Sequence, residues 1–331
     1  MIPLLIGIPA VLAVLFQFVR NEKARGYIVY AGAGIIMLTT VMFVVQWITA
    51  GAQKQMFYPE TELIDHLMTA GDIFLMCLII WLSVKYRKIL PIILSVVQTA
   101  VVLYTEFTAE VAEAPHMMVD WLTILMCVII AFIGGFICIY TVGYMKGYHK
   151  HHTEVKDRQP FFFSMLFLFL AAMFGLVLSQ NLIWIYFFWE ITSVISFLMI
   201  GYTRTEEAVN NSFCALWMNL LGGLGFAVAI AIMAQISGSL QLIHVVEVGA
   251  PLPLMCLALA GITKSAQLPF STWLLGAMVA PTPSSALLHS ATMVKAGVYL
   301  LIRISPALEG NLVGIIVSSI GGFTFIMASM M

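Results

Sequence analysis

The sequence predicts an all-α polytopic membrane protein, and its composition and its apolar patterning both point to this class. Of the 331 residues, 62% are hydrophobic and only 9% are charged, against roughly 45–50% and about 25% in soluble domains. Such a chain has too few polar side chains to cover the surface of a soluble fold. The apolar residues also fall into runs of about 20, the length of a helix that crosses a bilayer. The composition therefore excludes a soluble globular enzyme and a disordered chain.

Eleven apolar runs are long enough to be spanning helices. They lie at roughly residues 2–19, 27–48, 67–84, 89–106, 119–141, 161–179, 182–201, 212–235, 252–275, 283–302 and 311–331. The first run is not a cleaved signal peptide, because its basic residues follow it, at Arg20, Lys23 and Arg25, instead of preceding it. We therefore predict that it is a retained first span.

The loops between these runs predict an orientation by their content of Lys and Arg. The basic loops are 20–26, 85–88, 142–160 and 202–211. They alternate with loops poor in Lys and Arg, so we predict that the basic loops are cytoplasmic and that the N-terminus faces outward. The loop at 107–118 has glutamates and no base, which suits the outer side. The predicted loop that contains Arg303 falls on the outer side although it is basic, so it is an exception to this alternation.

Other features of the composition exclude several kinds of site. The formal net charge is −1, which gives no basic footprint for nucleic acid. Five cysteines lie inside apolar runs without a CxxC pair, so we predict no disulfide, iron–sulfur or zinc site and no cofactor. A metal site is conceivable at the polar cluster of His149, Lys150, His151 and His152, but a solvated cytoplasmic loop or docking surface is the preferred interpretation. The cysteines are Cys77, Cys127, Cys138, Cys214 and Cys256.

Four charged residues lie inside the predicted spans: Asp72, Glu190, Lys264 and Lys295. Each costs about 2.5–3.5 kcal/mol at the centre of a spanning helix, so such residues usually pair or line a hydrated path. We interpret Asp72 as a residue at a helix start near the membrane interface. A static ion pair between Glu190 and Lys264 would explain two of the charges but leaves Lys295 unexplained.

Prolines follow the first of the two lysines and predict broken helices. Pro269 lies five residues after Lys264, and Pro281 and Pro283 come shortly before the next span. Proline removes a backbone donor and breaks or kinks a helix, and broken helices with free carbonyls are the usual framework of ion sites in transporters. We therefore expect an ion site near Lys264.

A proton relay is a plausible use of these residues. Glu190 nearby would favour the protonated form of Lys264, and its movement away would favour release of the proton. His289 can pass a proton near neutral pH. His289 and Lys295 are about 9 Å apart along a helix axis and about 240° apart around it, so a hydrated cavity or an unwound turn is needed to bring them into one path.

Several motifs resemble one family. Residues 261–270 (GITKSAQLPF) resemble the Lys-Ser-Ala-Gln-Leu-Pro motif of the antiporter-like subunits of respiratory complex I. Residues 280–299, 179–182 and 188–190 resemble the same family. This family includes the L subunit of complex I, the large subunit of Mrp antiporters and the membrane subunits of energy-converting [NiFe]-hydrogenases.

The resemblance implies a fold and four residue roles. The fold would contain inverted five-helix repeats with broken helices. Glu190 resembles the fifth-helix glutamate of the family, and Lys264 resembles the broken-helix lysine with which it pairs. His289 and Lys295 resemble the relay of the next helix toward the centre. No catalytic centre is expected in this chain, since the redox chemistry would take place elsewhere in a complex.

The resemblance also divides the chain. Residues 1–110 would hold the N-terminal helices with two apparent extra spans, at 67–106, that depart from the family pattern. Residues 111–160 would hold one span and the cytoplasmic His/Lys loop, and 161–303 the first five-helix proton-conducting repeat. Residues 304–331 would begin a second repeat, and we expect the chain to be a truncated stretch of a longer protein.

Two segments, 144–163 and 273–281, look like those of the Ech-type (group 4) hydrogenase subunits. They favour an H⁺- or Na⁺-translocating subunit of a ferredoxin-linked energy-converting hydrogenase, in the cell membrane of a bacterium or archaeon. Its partners would be other membrane subunits, a peripheral [NiFe]-hydrogenase/iron–sulfur arm and the lipid bilayer. The alternatives are a complex I L-like subunit, an Mrp-type Na⁺/H⁺ antiporter subunit and a purely structural anchor for redox subunits.

Overall fold

The computed structural model describes residues 1–58, 62–109 and 115–330, with the backbone alone at residues 290 and 291, and most of them are helical. The helices are α1 (Ile2–Phe18), α2 (Glu22–Thr49), α3 (Glu62–Lys85), α4 (Ile89–Thr108), α5 (Trp121–Ile129), α6 (Gly135–His151), α7 (Gln159–Leu178), α8 (Leu182–Ile200), α9 (Glu206–Ser237), α10 (Leu242–Val248), α11 (Pro251–Lys264), α12 (Thr272–Gly276), α13 (Thr282–Ala286), α14 (Met293–Leu308) and α15 (Leu312–Met330).

The helices confirm the predicted class of fold. Among the described residues, nine continuous helical segments are long and apolar enough to cross a membrane, with α5–α6 and α13–α14 each counting as one. The helices α1 and α11 are apolar but shorter. These eleven segments match the eleven predicted spans, so the protein is an all-α polytopic membrane protein.

Polar side chains cap the starts of several of these helices. Asn21 accepts hydrogen bonds from the backbone of Lys23 at the start of α2, and Asn181 accepts one from Ile183 at the start of α8. Thr205 accepts from Ala208 and so begins α9. Caps of this kind satisfy amide groups that a helix start leaves without partners. The Thr205 cap also explains why α9 begins at Glu206, six residues before the predicted start.

The centre of the structure is α7, which is buried along most of its length. It packs on α1 and α8, while α9 packs on α4, α8 and α11, and α11 packs on α14. The helices α11 and α14 approach most closely at two glycines. A Cβ atom on Gly297 would lie 2.4 Å from the carbonyl oxygen of Gly261. The absence of a side chain therefore permits direct backbone contact between α11 and α14.

A short two-stranded sheet joins the loops at one end of the helices. The strand β1 (Gln55–Phe57) pairs antiparallel with β2 (Met117–Val119). Nearby, the Gln180 amide donates to the His116 carbonyl at 2.7 Å, and the Leu182 amide donates to the Leu240 carbonyl at 2.8 Å. The helix α10 lies within the segment 236–251, which we predicted to be a loop. Of the glutamates predicted in the loop 107–118, Glu110 and Glu113 lie outside the described residues.

Two π-helical turns interrupt long helices. One, Ile130–Gly134, joins α5 to α6, and the other, Leu287–Ala291, lies between α13 and α14. The two turns are neighbours in the structure. Single π turns inside α-helices occur often at functional sites.

The polar cluster at residues 149–152 belongs largely to the end of α6 and not to a loop, because α6 continues to His151. The His149 ring lies 3.1 Å from the Tyr202 hydroxyl, and His152 lies 3.1 Å from Glu154. No group of three or more His, Cys, Asp or Glu side chains suited to a metal ion occurs within the described part of the chain.

Arg303 lies within α14, so the predicted loop around it is wrong. Its guanidinium donates to both oxygens of Asp120, which caps α5, and to Thr123 at 2.6 Å. Burial raises the pKa of Asp120, but the hydrogen bonds from Arg303 and from the Thr123 backbone outweigh it and hold that pKa below its ordinary value. Arg303 was the exception to the prediction that basic residues lie on the cytoplasmic side. Because Asp120 neutralises its charge, this exception has a structural reason.

We expect Arg303→Gln to lower the free energy of unfolding by about 2 kcal/mol, because it removes charged hydrogen bonds to Asp120. Thermal unfolding of the purified protein in detergent measures this, and Arg20→Gln, at an exposed arginine, is the control. The loss should shrink as the pH falls through the pKa of Asp120, since the pair stabilises the fold only while that carboxylate is charged. An unchanged unfolding temperature in Arg303→Gln would contradict the prediction.

Candidate functional site

Glu190 lies in the middle of α8 and is almost completely buried. The side-chain amide of Gln98, on α4, donates to one carboxylate oxygen of Glu190 at 3.0 Å. The other oxygen of Glu190 and the carbonyl oxygen of Gln98 have no hydrogen-bond partner among the residues that the structure describes. Both of these oxygens lie against Gly223 of α9, where a Cβ atom would come within 2.7 Å of each. Glu190 therefore keeps one buried oxygen free to accept a proton.

Lys264 is the last residue of α11 and is completely buried. Its ammonium group donates to the backbone carbonyl of Trp189 at 2.9 Å and to the Ser193 hydroxyl at 2.8 Å. It also lies 4.8 Å from the centre of the Trp189 ring. The C-terminal end of a helix carries partial negative charge, which favours a cation at this position.

Lys264 and Glu190 are brought together without a direct ion pair. The two groups interact electrostatically through space, yet every hydrogen bond of the Lys264 ammonium within the described part of the chain goes to a neutral acceptor. The static ion pair, which was the alternative interpretation of these two charges, is therefore not the arrangement observed. Because the bound acceptors are neutral, the position of the ammonium does not depend on a contact with the Glu190 carboxylate.

The predicted helix breaks occur at the three prolines. Between α11 and α12 the chain turns, with Pro269 in the turn and Ala266 at φ +53°. The indole of Trp273, on α12, donates to the Thr263 carbonyl at 2.9 Å and so caps the end of α11. Pro281 and Pro283 stand at the start of α13, where proline is compatible with a helix. The break places the end of α11, and with it Lys264, inside the bundle.

Among the described residues, no hydrogen bond or ion pair joins His289 or Lys295 to Lys264, to Glu190 or to each other. His289 lies in the second π turn, and its Nε2 atom is buried and has no hydrogen-bond partner in the described part of the chain. Lys295 is half-buried in the first turn of α14 and makes no hydrogen bond or ion pair with any residue that the structure describes. The helix between them is interrupted at Thr292 (φ −145°, ψ −60°). An unwound turn was one of the two arrangements, beside a hydrated cavity, that the sequence left open.

The interpretation of Asp72 as a helix-start residue is wrong. The helix α3 begins at Glu62 and not near residue 67, so Asp72 lies ten residues inside it and is buried. Glu190 and Glu106 both lie near enough to act on it electrostatically. Asp72 therefore belongs to the surroundings of Glu190 and not to the membrane interface.

Sequence reasoning did not find Gln98, Ser193 and Gly223. The extra span 89–106 was given no role, but Gln98 lies on it and binds Glu190 directly. A signal was present, because Ser95, Gln98 and Thr99 form a polar patch in the otherwise apolar stretch 89–103 of α4 and all three are buried. Ser193 and Gly223 carry no comparable signal, since serine and glycine are common in spanning helices.

Two family models match segments of the chain. Residues 179–331 match the family model described as "NADH:quinone oxidoreductase/Mrp antiporter, TM". Residues 114–153 match the model described as "NADH-Ubiquinone oxidoreductase (complex I), chain 5 N-terminus". Together the two matches cover more than half of the chain. The chain belongs to the antiporter-like membrane subunit family.

Individual relatives of this antiporter-like subunit include two bacterial proteins. It is 38% identical over 211 residues to a probable K⁺/H⁺ antiporter subunit of Rhizobium meliloti (strain 1021), covering 59% of this chain and 21% of that protein. It is 37% identical over 220 residues to the putative antiporter subunit mnhA2 of Staphylococcus aureus, covering 63% of this chain and 27% of that protein. The chain thus spans about a quarter of the length of these relatives.

Two solved structures share the fold. A chain of the Mrp complex from Dietzia sp. DQ12-45-1b aligns with a TM-score of 0.52 and 27% identity, covering 73% of this chain and 28% of that chain. A chain of the membrane-bound sulfane sulfur reductase, an archaeal respiratory membrane complex, aligns with a TM-score of 0.67 and 16% identity, covering 92% of this chain and 52% of that chain. With its spans and these relatives, the antiporter-like subunit is a multi-pass protein of the cell membrane.

Proposed function

We propose that this antiporter-like subunit moves H⁺ or Na⁺ across the cell membrane as part of a multisubunit membrane complex. The observation that carries this proposal is the pair of Glu190 and Lys264, both buried, at the point where α11 ends inside the bundle. Ionisable residues at such depth are costly and usually mark ion pathways. The family match supports the same function.

The neutral acceptors of Lys264 suggest how the pair works. Since Trp189 and Ser193 hold the ammonium in place, Glu190 can change its charge without breaking a hydrogen bond of Lys264. A negative charge on Glu190 stabilises the ammonium, and loss of that charge favours release of the proton from Lys264. Each step transfers one proton and requires no redox group in this chain.

His289 and Lys295 continue the proposed path. Both have polar atoms free for a further partner, since among the described residues the buried Nε2 of His289 has no hydrogen-bond partner and Lys295 makes no hydrogen bond or ion pair. Because neither is hydrogen-bonded to Lys264 among the described residues, water between these groups would complete the path, as in other hydrated pathways at broken helices.

The proposed unit of conduction is the repeat at residues 161–303. Its five spans correspond to α7, α8, α9, α11 and the α13–α14 segment. We propose that residues 304–331, with α15, begin a second repeat of the same kind.

Two types of membrane complex are candidates for the assembly that contains this chain. The names of the relatives favour an Mrp-type antiporter, and the segments at 144–163 and 273–281 favour a hydrogenase of the energy-converting type with a peripheral iron–sulfur arm. Purification of the complex from native membranes with a tag on this chain distinguishes them. Co-purifying nickel and iron–sulfur protein would establish the hydrogenase, and their absence alongside other antiporter subunits would establish the Mrp type.

A structural anchor is the competing function, and a double substitution tests it. We expect Glu190→Gln combined with Lys264→Met to abolish ion transport in membrane vesicles, while the partner subunits still co-purify with the chain. The two changes remove both charges together, so neither is left buried without its counterpart. Unchanged ion flux in the double variant would establish the anchor and overturn the proposed ion path.

A further inference from the structure

The two extra spans, α3 and α4, approach the candidate site directly. They precede both segments that match the family models, 114–153 and 179–331. The helix α4 packs along α9, and α3 packs on α8. The approach of α3 to α8 is close, because a Cβ atom on Gly71 would lie 2.6 Å from the ring of Phe187. The extra spans are therefore part of the wall around Glu190.

Asp72 is the buried acidic residue that α3 contributes to this wall. It is 6% exposed and makes no hydrogen bond or ion pair with any residue in the described ranges. The ionisable groups that act on it are Glu190 and Tyr186, from α8, and Glu106, from α4, and none of them is a cation. A carboxyl group at membrane depth without a cation partner is costly to retain, and its default interpretation is a functional one.

Polar groups connect Asp72 with the end of the bundle. Asp65, Thr69 and Asp72 lie at spacings of four and three residues, which places them on one face of α3. The Thr69 hydroxyl lies 2.5 Å from a carboxylate oxygen of Glu106 and 2.9 Å from the Asp65 carbonyl. Glu106 is half-buried near the end of α4. This face of α3 therefore extends from Asp72 to the half-exposed carboxyl group of Glu106.

Asp72 and Glu190 also have polar groups in their shared surroundings. Tyr186 lies one turn before Glu190 on α8, is 1% exposed, and lies near enough to Asp72 and Glu190 to act on both electrostatically. On α4, the Gln98 amide donates to the Glu190 carboxylate. A hydroxyl group and an amide group therefore lie in the surroundings that Glu190 shares with Asp72.

We propose that Asp72 is a second proton-binding carboxyl group of this protein, which exchanges protons between Glu190 and the solvent-accessible Glu106 through Thr69. This inference rests on the proposed ion translocation and adds a branch to it through α3 and α4. In each step one proton leaves a protonated carboxyl group and binds to a carboxylate, with a hydroxyl group or a water molecule between them, so charge and atoms balance. On the predicted topology, the branch opens on the outer side of the membrane.

Transport by vesicles that contain the whole complex tests the branch. We expect Asp72→Asn to slow proton transport roughly tenfold or more, because removing a positioned acid–base group from an enzyme typically slows proton transfer by at least this factor. Thr69→Val and Glu106→Gln should also slow it, and Asp72→Glu should retain most of the rate. Glu62→Gln, which removes an exposed carboxylate from the same helix, is the matched control and should transport normally.

The outcomes separate this inference from the proposed function. Normal transport by Asp72→Asn, when Lys264→Met is inactive, overturns the branch and leaves the ion path through Lys264 standing. Normal transport by Lys264→Met overturns the ion path itself. If Asp72→Asn does not accumulate in the membrane, Thr69→Val decides: a slowed rate at a normal protein level supports the branch, and a wild-type rate overturns it.

Discussion

Replacing Lys264 with methionine should abolish ion transport by the complex while leaving the chain in the membrane. Methionine keeps most of the volume of the lysine side chain but carries no charge, so the packing against Trp189 is retained. What is lost is the ammonium group that donates to the Trp189 carbonyl and to Ser193. Uptake of H⁺ or ²²Na⁺ into inverted membrane vesicles, driven by the substrate of the complex, measures the effect.

The control for this experiment is Lys54→Met, at an exposed lysine outside the helices. It should transport at the wild-type rate. The amount of chain in the membrane, determined by immunoblotting, should be the same in both variants. Wild-type transport by Lys264→Met would show that the ion path does not pass through this residue.

Replacing Gly297 with valine should lower the stability of the protein more than any of the other single changes considered above. A Cβ atom at this position would lie 2.4 Å from the Gly261 carbonyl oxygen and 2.8 Å from the Ser265 amide nitrogen. These are backbone atoms and cannot rotate away, so α11 and α14 must separate. We expect a loss of about 3 kcal/mol or more in the free energy of unfolding, at the upper end of the cost of overpacking.

Thermal unfolding in detergent measures this loss, with Gly34→Val as the matched control. Gly34 is also a helical glycine, but a Cβ atom there would have no neighbour within 4 Å. Gly34→Val should therefore unfold close to the wild-type temperature. Equal unfolding temperatures for the two variants would show that the approach of α11 and α14 at Gly297 is not as close as the structure has it.

The spans and the breaks could be predicted from the sequence because they depend on local chemistry. Long apolar runs must be helical in a bilayer, since no other spanning segment satisfies its own backbone, and the prolines after Lys264 cannot continue a helix. The burial of Glu190 and Lys264 followed from the same patterning. Their relative placement was only implied by the resemblance to a family, and the structure places them as neighbours without a direct ion pair.

What could not be predicted depends on contacts between distant parts of the chain. Gln98 lies 92 residues before Glu190, and no periodicity in either helix indicates that they meet. The position of Asp72 differs from the prediction because α3 begins at Glu62, five residues before the predicted span, and helix boundaries are the least certain part of sequence-based assignment. The helical position of Arg303 could not be predicted either, because the Asp120 carboxylate that neutralises it lies 183 residues earlier in the sequence.

The two neighbouring π turns have a consequence for how the proposed path would be gated. A π turn holds one residue more than an α turn. If the π turn shifts along the helix, each residue that it passes rotates by about 100° around the helix axis. His289 lies in the second π turn, so such a shift would swing its imidazole to another side of the helix while both helix ends stay in place. Conduction could then be opened and closed by a local change of winding, without sliding any span through the bilayer.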